Sequence, residues 1–202
     1  MIKNYIFDFG QVLVEFNPRK LTSVYVQNED DIETISEIVF DRIYWDKLDE
    51  GSITDEQVIH FACSRLPEKY HKIACEVYDN WIKNLTPIDG VIDIIRELKE
   101  SNCKLYLLSN ISKKFAETYK SVPKIKDILS LFDGLVFSAE IGLTKPHKQI
   151  FEYLLNEFDL SPHESVFIDD NINNIVGAES VGISGYCFDG DIDKLKSFIF
   201  TD

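Results

Sequence analysis

Lys3-Asn4-Tyr5-Ile6-Phe7-Asp8-Phe9-Gly10-Gln11-Val12-Leu13 is an apolar, aromatic-rich run that delivers a carboxylate to its far end. Its residue types suit a pleated, half-buried strand, and Gly10 reads as the point where the backbone turns sharply. Acidic residues often bound strands, so Asp8 alone carries little meaning. It gains meaning from three later runs that also end in polar groups. They are Lys104-Leu105-Tyr106-Leu107-Leu108-Ser109-Asn110, then Leu135-Val136-Phe137-Ser138 continuing through Gly142 to Lys145-Pro146, then Ser165-Val166-Phe167-Ile168-Asp169-Asp170-Asn171.

Each run lies between segments of helical periodicity. Alternation of strand and helix predicts right-handed crossovers and an α/β fold with a Rossmann-like parallel sheet. Ligands of such sheets bind beyond the carboxyl ends of the strands. Asp8, Ser109, Lys145, Asp169 and Asp170 are therefore expected at one edge, despite their distance in sequence.

The strand signal vanishes between Asn17 and Thr86. Apolar residues there recur at three- and four-residue spacing over 18–26, 30–40, 54–66 and 68–85, which predicts four short helices. Thr54 and Gln57 have the spacing of a capping box. An all-helical insert after the first strand reads as a small cap domain at 17–86, with the core built from 1–16 and 87–202. The segment Arg42–Ser52 reads as a loop between the second and third cap helices, with a turn at Gly51. Tyr44 and Trp45 are adjacent and cannot share one helix face. Either one packs inward while the other covers the inter-domain crossing, or the loop faces the crevice and both are candidate substrate contacts. Further on, helices are expected over 89–101, 112–119, 122–131, 171–181 and 192–200, and one opened by Pro146 runs to Phe158. A fifth strand is expected at 183–188.

The 202 residues are enough for a sizeable core, and a 45% apolar, 28% charged composition is that of an ordinary globular protein. A net charge of −14 argues against a nucleic-acid partner held through its phosphate backbone. The four cysteines form no close pair suited to zinc or a redox dithiol. Asp8 comes too early for a signal-peptide core, and no apolar run reaches bilayer length, so the expectation is a cytoplasmic protein without a membrane partner. The four histidines, His60, His71, His147 and His163, lack ligand-like spacing and read as structural or solvated, with the crevice an alternative place for His147, which follows Pro146 near Lys145.

A carboxylate can attack a phosphoester when fixed positive charge offsets the repulsion between the two. Asp8 is the candidate nucleophile, and Lys145 the fixed cation able to pair with both Asp8 and a phosphoryl group. The Ser109 hydroxyl and the Asn110 N–H suit phosphoryl oxygens. Asp169 and Asp170 beside Asp8 would repel strongly without a cation. A small, hard, oxygen-preferring ion fits, which points to Mg²⁺. Asn174, one helical turn beyond Asp170, is placed to brace this loop.

The set Asp8-x-Gly10, Ser109-Asn110, Ser138-x-x-x-Gly142-x-x-Lys145-Pro146 and Asp169-Asp170 resembles the four motifs of the haloacid dehalogenase-like (HAD) superfamily of phosphohydrolases, in order and over nearly the whole chain. The resemblance implies metal ligation by Asp8, the Gly10 carbonyl and Asp170, with Asp169 bound directly or through water. It also implies a small phosphorylated metabolite as substrate and a monomer or homodimer. Most phosphatases of this superfamily have a second aspartate where this chain has Gly10, and that aspartate protonates the leaving oxygen. Three readings follow from its absence. Either the leaving group needs no proton, as with an anomeric sugar phosphate; or a cap residue such as Glu15, Tyr44, Asp46 or Glu50 supplies one; or the protein binds a phosphorylated ligand without turnover. The segments Phe7–Val12, Asp49–Thr54 and Val166–Asn171 resemble a subgroup of sugar-phosphate phosphatases, including glucose-1-phosphate phosphatases, that shares this glycine. That favours the first reading. A dehalogenase proper needs no metal, and the Asp169-Asp170 pair speaks against it.

Overall fold

The structure is a computed structural model and describes residues 2–200. Strand β1 (Asn4–Phe7) is followed by the short β2 (Val14–Glu15) and by five helices: α1 (Pro18–Ser23), α2 (Glu29–Val39), α3 (Arg42–Asp49), α4 (Asp55–Arg65) and α5 (His71–Asn84). The chain returns through β3 (Thr86–Pro87) to α6 (Asp89–Glu100), β4 (Lys104–Ser109), α7 (Lys113–Thr118), α8 (Pro123–Leu129), β5 (Gly134–Phe137) and α9 (Ser138–Ile141). It ends with α10 (Lys148–Glu157), β6 (Ser165–Asp169), α11 (Ile172–Glu179), β7 (Ser184–Cys187) and α12 (Ile192–Phe200).

The main sheet has five parallel strands in the order β5-β4-β1-β6-β7. Every connection within it carries helix, as parallel strands require. Strand β1 is central, wholly buried, and pairs Phe7 with Leu107 on one side and Ile168 on the other. That register sets Asp8 level with Asp169, and the Asp8 N–H donates to the Ile168 carbonyl at 2.9 Å. The two crossings between sheet and helical insert pair with each other, Val14 opposite Pro87 and Glu15 opposite Thr86, in an antiparallel ribbon.

Two apolar clusters flank the sheet. Ile6, Leu108, Phe151 and Phe167 anchor the one under α10 and α11, while Phe7, Leu107 and Ile168 belong to the other, which runs without a break into the insert. An aromatic file carries that continuity. Phe9 meets Phe115 at 4.9 Å, Phe115 stacks on Trp81 at 5.9 Å, and Trp81 meets Trp45 at 5.4 Å. Asn28 and Asp41 cap the N-termini of α2 and α3, and the predicted Thr54–Gln57 capping box opens α4.

The structure departs from the sequence reading at several places. Arg42–Asp49 is a helix rather than a loop: Asp41 accepts from the Ile43 N–H as its N-cap, and the Arg42–Asp46 ion pair spans one turn. The predicted helix over 68–85 is a 3₁₀ turn (Glu68–Tyr70) leading into α5. Pro146 does not open α10, which begins at Lys148; the Lys145–Pro146 bond is cis. The left-handed residue of the first turn is Gln11, with φ 58°, and a Cβ on Gly10 would meet nothing within 4 Å. Glycine is thus not demanded by space at position 10.

Trp45 sits amid Phe16, Phe40, Tyr78 and Trp81 and donates its indole N–H to the Val39 carbonyl at 2.7 Å. Removing so large a buried ring leaves a cavity and an orphan acceptor. Trp45→Ala is expected to lower stability by about 3–5 kcal/mol, read as a drop in the urea midpoint at unchanged slope.

Candidate active site

Beyond the carboxyl ends of β1, β4 and β6 opens a cavity of about 940 Å³ whose floor includes Asp8, Ser109, Lys145 and Asp170. Lys145 reaches it from the loop after α9. Gly142, with φ 67°, ends that helix in the left-handed conformation, which frees the chain to cross back over the sheet. The Lys145 ammonium is 1% exposed and bridges two carboxylates, at 2.7 Å from Asp8 Oδ1 and 2.8 Å from Asp169 Oδ2.

Asp169 is fully buried and saturated with donors. Besides Lys145, Asn174 Nδ2 donates to both its oxygens at 3.0 Å, and the Asn171 N–H donates to Oδ1 at 2.8 Å. Asn174 therefore braces the loop as its position in sequence suggested. Asn110 does more than offer its N–H. Its side chain exchanges two 2.9 Å hydrogen bonds with the Lys145 backbone, one to the carbonyl and one from the N–H, tying the end of β4 to the lysine loop. Sequence reasoning missed this role, because it depends on a pairing across 35 positions.

Charge is unevenly matched here. One ammonium faces Asp8 and Asp169, with Asp170 alongside. Burial pushes the Asp8 carboxyl up to about 7, with Lys145 pulling it down and Asp169 adding to the rise. Burial likewise raises Asp170, again with Asp169 contributing. The two carboxylates hold Lys145 above the ordinary lysine range despite its burial, so it stays an ammonium. Carboxylate oxygens of Asp8, Asp169 and Asp170 lie within 4.8 Å of one another. Convergent hard-oxygen donors in excess of the local positive charge fit a small divalent cation such as Mg²⁺.

Of the two aromatic candidates, only Trp45 borders the cavity. Tyr44 does not. The helical turn at α3 carries it away from the cavity to stack on Phe61 at 4.7 Å, beneath the Arg65 guanidinium. His147, read from the sequence as structural or solvated, lines the cavity.

A twisted parallel sheet with an acid-ended central strand, and a lysine bridging two carboxylates, is the arrangement of a HAD-like hydrolase. The family model for haloacid dehalogenase-like hydrolases matches residues 2–182, and the chain belongs to that family. Among curated proteins it is 29% identical over 183 residues to the sesquiterpene phosphatase astK of Aspergillus oryzae, covering 91% of this chain and 88% of that one. It is 26% identical over 195 residues to a D-ribitol-5-phosphate phosphatase of Bacteroides thetaiotaomicron, covering 92% and 91%. Among solved structures, a HAD family enzyme of B. thetaiotaomicron, as its magnesium complex, superposes with a TM-score of 0.71 at 23% identity, over 100% of this chain and 99% of the other. At that identity the likeness speaks for the fold. No described helix is long and apolar enough to cross a membrane.

Proposed function

We propose that this protein is a Mg²⁺-dependent phosphatase of a small phosphorylated metabolite, of the sugar- or polyol-phosphate class, working through a phospho-aspartyl intermediate on Asp8. The observation that carries the reading is the buried Lys145 ammonium bridging Asp8 and Asp169 beside Asp170, at the base of an open cavity.

In this reading Asp8 Oδ2 attacks phosphorus, since Oδ1 is engaged by Lys145 and by the Phe9 N–H at 2.7 Å. Those two donors fix the carboxyl plane, which leaves one oxygen free to approach in line. Lys145 screens the incoming phosphoryl charge, and Ser109 with the Asn110 N–H receives phosphoryl oxygens. Asp8, Asp170 and the Gly10 carbonyl would hold Mg²⁺, with Asp169, whose oxygens already take four donor bonds, reaching it through water; the ion when bound would neutralise charge on the transferring group. The helices of residues 17–86 act as a cap, and the Val14–Glu15/Thr86–Pro87 ribbon is the crossing about which they are hung. The named relatives hydrolyse phosphoesters, which supports phosphorus over halogenated carbon as the target, and the three convergent carboxylates support it independently.

Phosphate release from a panel of anomeric and primary-alcohol sugar phosphates, with Mg²⁺ and with chelator, tests the reading. Turnover should need the metal and be lost on chelation. Mg²⁺ at a hundred times its dissociation constant should also stabilise the fold by about 2.7 kcal/mol, read by thermal melting. Release confined to anomeric phosphates would mean that Gly10 leaves the leaving oxygen without a proton donor; release from primary-alcohol phosphates would mean that a donor stands elsewhere. Metal-independent turnover would overturn the Mg²⁺ requirement, and none on any ester would overturn the proposal in favour of a binding protein.

A further inference from the structure

An aspartate stands on the buried stripe of α3. Trp45, Leu48 and Asp49 follow one another at helical spacing, and all three are nearly inaccessible, Asp49 at 6% exposure. The first two fill the apolar core, as that stripe requires. Asp49 instead borders the cavity that holds Asp8 and Lys145. Among the described residues its carboxyl has no hydrogen-bonding or ion-pair partner; only its main-chain carbonyl is engaged, by the Ser138 hydroxyl at 2.5 Å. Its oxygens meet solvent only through the cavity, the one fully buried side-chain polar atom without a partner among the described residues being Thr22 Oγ1; acids so secluded in a cleft cluster where chemistry uses them.

Its position is also firmly set. The Ser138 hydroxyl that donates to Asp49 also accepts from the Ile111 N–H at 2.9 Å, so the end of α3 is tied to the segment just past Ser109–Asn110. Two residues on, Gly51 has φ 73°, and a Cβ there would lie 3.0 Å from the Ala139 carbonyl oxygen, so only glycine allows so close an approach.

We propose that Asp49 is the proton donor and acceptor of the reaction, taking the part that Gly10 cannot; the inference rests on the phosphatase reading above. In the first half-reaction, Asp8 Oδ2 forms a bond to phosphorus while the bond from phosphorus to the leaving oxygen breaks. The leaving oxygen takes the Asp49 proton and departs as an alcohol. In the second, the Asp49 carboxylate accepts a proton from the water that attacks phosphorus, the acyl-phosphate bond breaks, and Asp8 is restored with release of phosphate. Proton count and charge close over the cycle.

Of the other candidate donors, Asp46 and Glu50 also border the cavity but stand in solvent. Glu15 pairs with Lys20, Asp46 with Arg42 at 2.7 Å, and Glu50 is exposed; Tyr44 is outside the cavity. Around Asp49 stand Arg42 and Asp46 on its own helix, Tyr78 on α5, Asp8 after β1 and Lys145 after α9. Burial dominates this balance and pushes its carboxyl up to about 7, near the value at which a group serves equally as acid and base. With a donor in place, the chain is not restricted to anomeric phosphates.

The test is the first-turnover release of the leaving group by Asp49→Asn from two esters, p-nitrophenyl phosphate and an alkyl sugar phosphate. Nitrophenolate leaves without a proton, so its release should stay within about threefold of the unaltered chain, whereas alkyl-ester cleavage should fall by roughly 10²–10⁴-fold. After that first turnover the nitrophenyl ester should stall, because the acyl-phosphate lacks its base. Comparing two esters in one preparation is insensitive to the fraction folded. Equal losses on both, or no loss on either, would overturn the assignment of Asp49 while the phosphatase reading stands. No turnover of either ester by the unaltered chain would instead remove that reading.

Discussion

Asp8→Asn is expected to slow phosphate release by roughly 10⁴-fold or more while leaving the protein folded. The amide keeps the shape and the carbonyl oxygen that Lys145 and the Phe9 N–H hold, but it loses the charge that makes the other oxygen a nucleophile. Folding should tolerate the change, because Asp169 remains as a 2.8 Å partner for the buried ammonium and is itself held by Asn171 and Asn174. Burial already pushes Asp8 towards its neutral form, so a neutral amide relieves that burden. Steady-state phosphate release beside a melting curve checks both halves. Turnover within tenfold of the unaltered chain would place the nucleophile elsewhere.

Lys145→Met is expected to lose activity on a similar scale and, unlike Asp8→Asn, to destabilise the fold by about 3–5 kcal/mol. Methionine fills the apolar stem's space, but Asp8 and Asp169 are then buried together without their shared cation. The deficit has a direction in pH. A carboxyl whose folded pKa lies above its unfolded value binds a proton preferentially when folded, so stability falls as pH rises through that interval. Asp8 sits near 7 even with Lys145 present, and without the ammonium it must lie higher. Below about pH 7 both folded chains hold that proton and the gap between variant and unaltered chain should be flat; it should widen as pH rises from about 7 upward. Urea midpoints across that range measure it; a gap independent of pH would mean that packing, not charge, is what the lysine supplies.

The core of the site was legible because its residues sit at strand ends, and strand ends are visible in a string of letters. Asp8, Ser109 and Asp169 each follow an apolar run, and the fold aligns such ends without further instruction. Lys145 could be placed because Gly142 and Pro146 bracket it. The insert was harder. Arg42–Asp49 carries four charges in eight residues, so its helical stripe is only Trp45, Leu48 and Asp49. One member of that stripe is an acid, and periodicity read through polarity misses it. Asp49 is notable only for being buried, and burial there depends on docking against Ser138 and Ala139, far along the chain. With the segment helical, Tyr44 and Trp45 diverge, and of the two alternatives the one that packs a single aromatic inward describes Trp45.

The central position of β1 bears on how the molecule is made. Its two neighbours in the sheet are β4 and β6, and their partner residues lie about 100 and 161 positions downstream. At translation rates of roughly 5–20 residues per second, β1 waits on the order of ten seconds after emerging before β6 exists to pair with it. Its four buried residues must stay out of aggregates during that interval. The helices of the insert can pack locally in the meantime, whereas the sheet can only close late, and parallel pairing over such separations is intrinsically slow. The placement that brings the two aspartates together thus ties assembly of the sheet to the synthesis of β6.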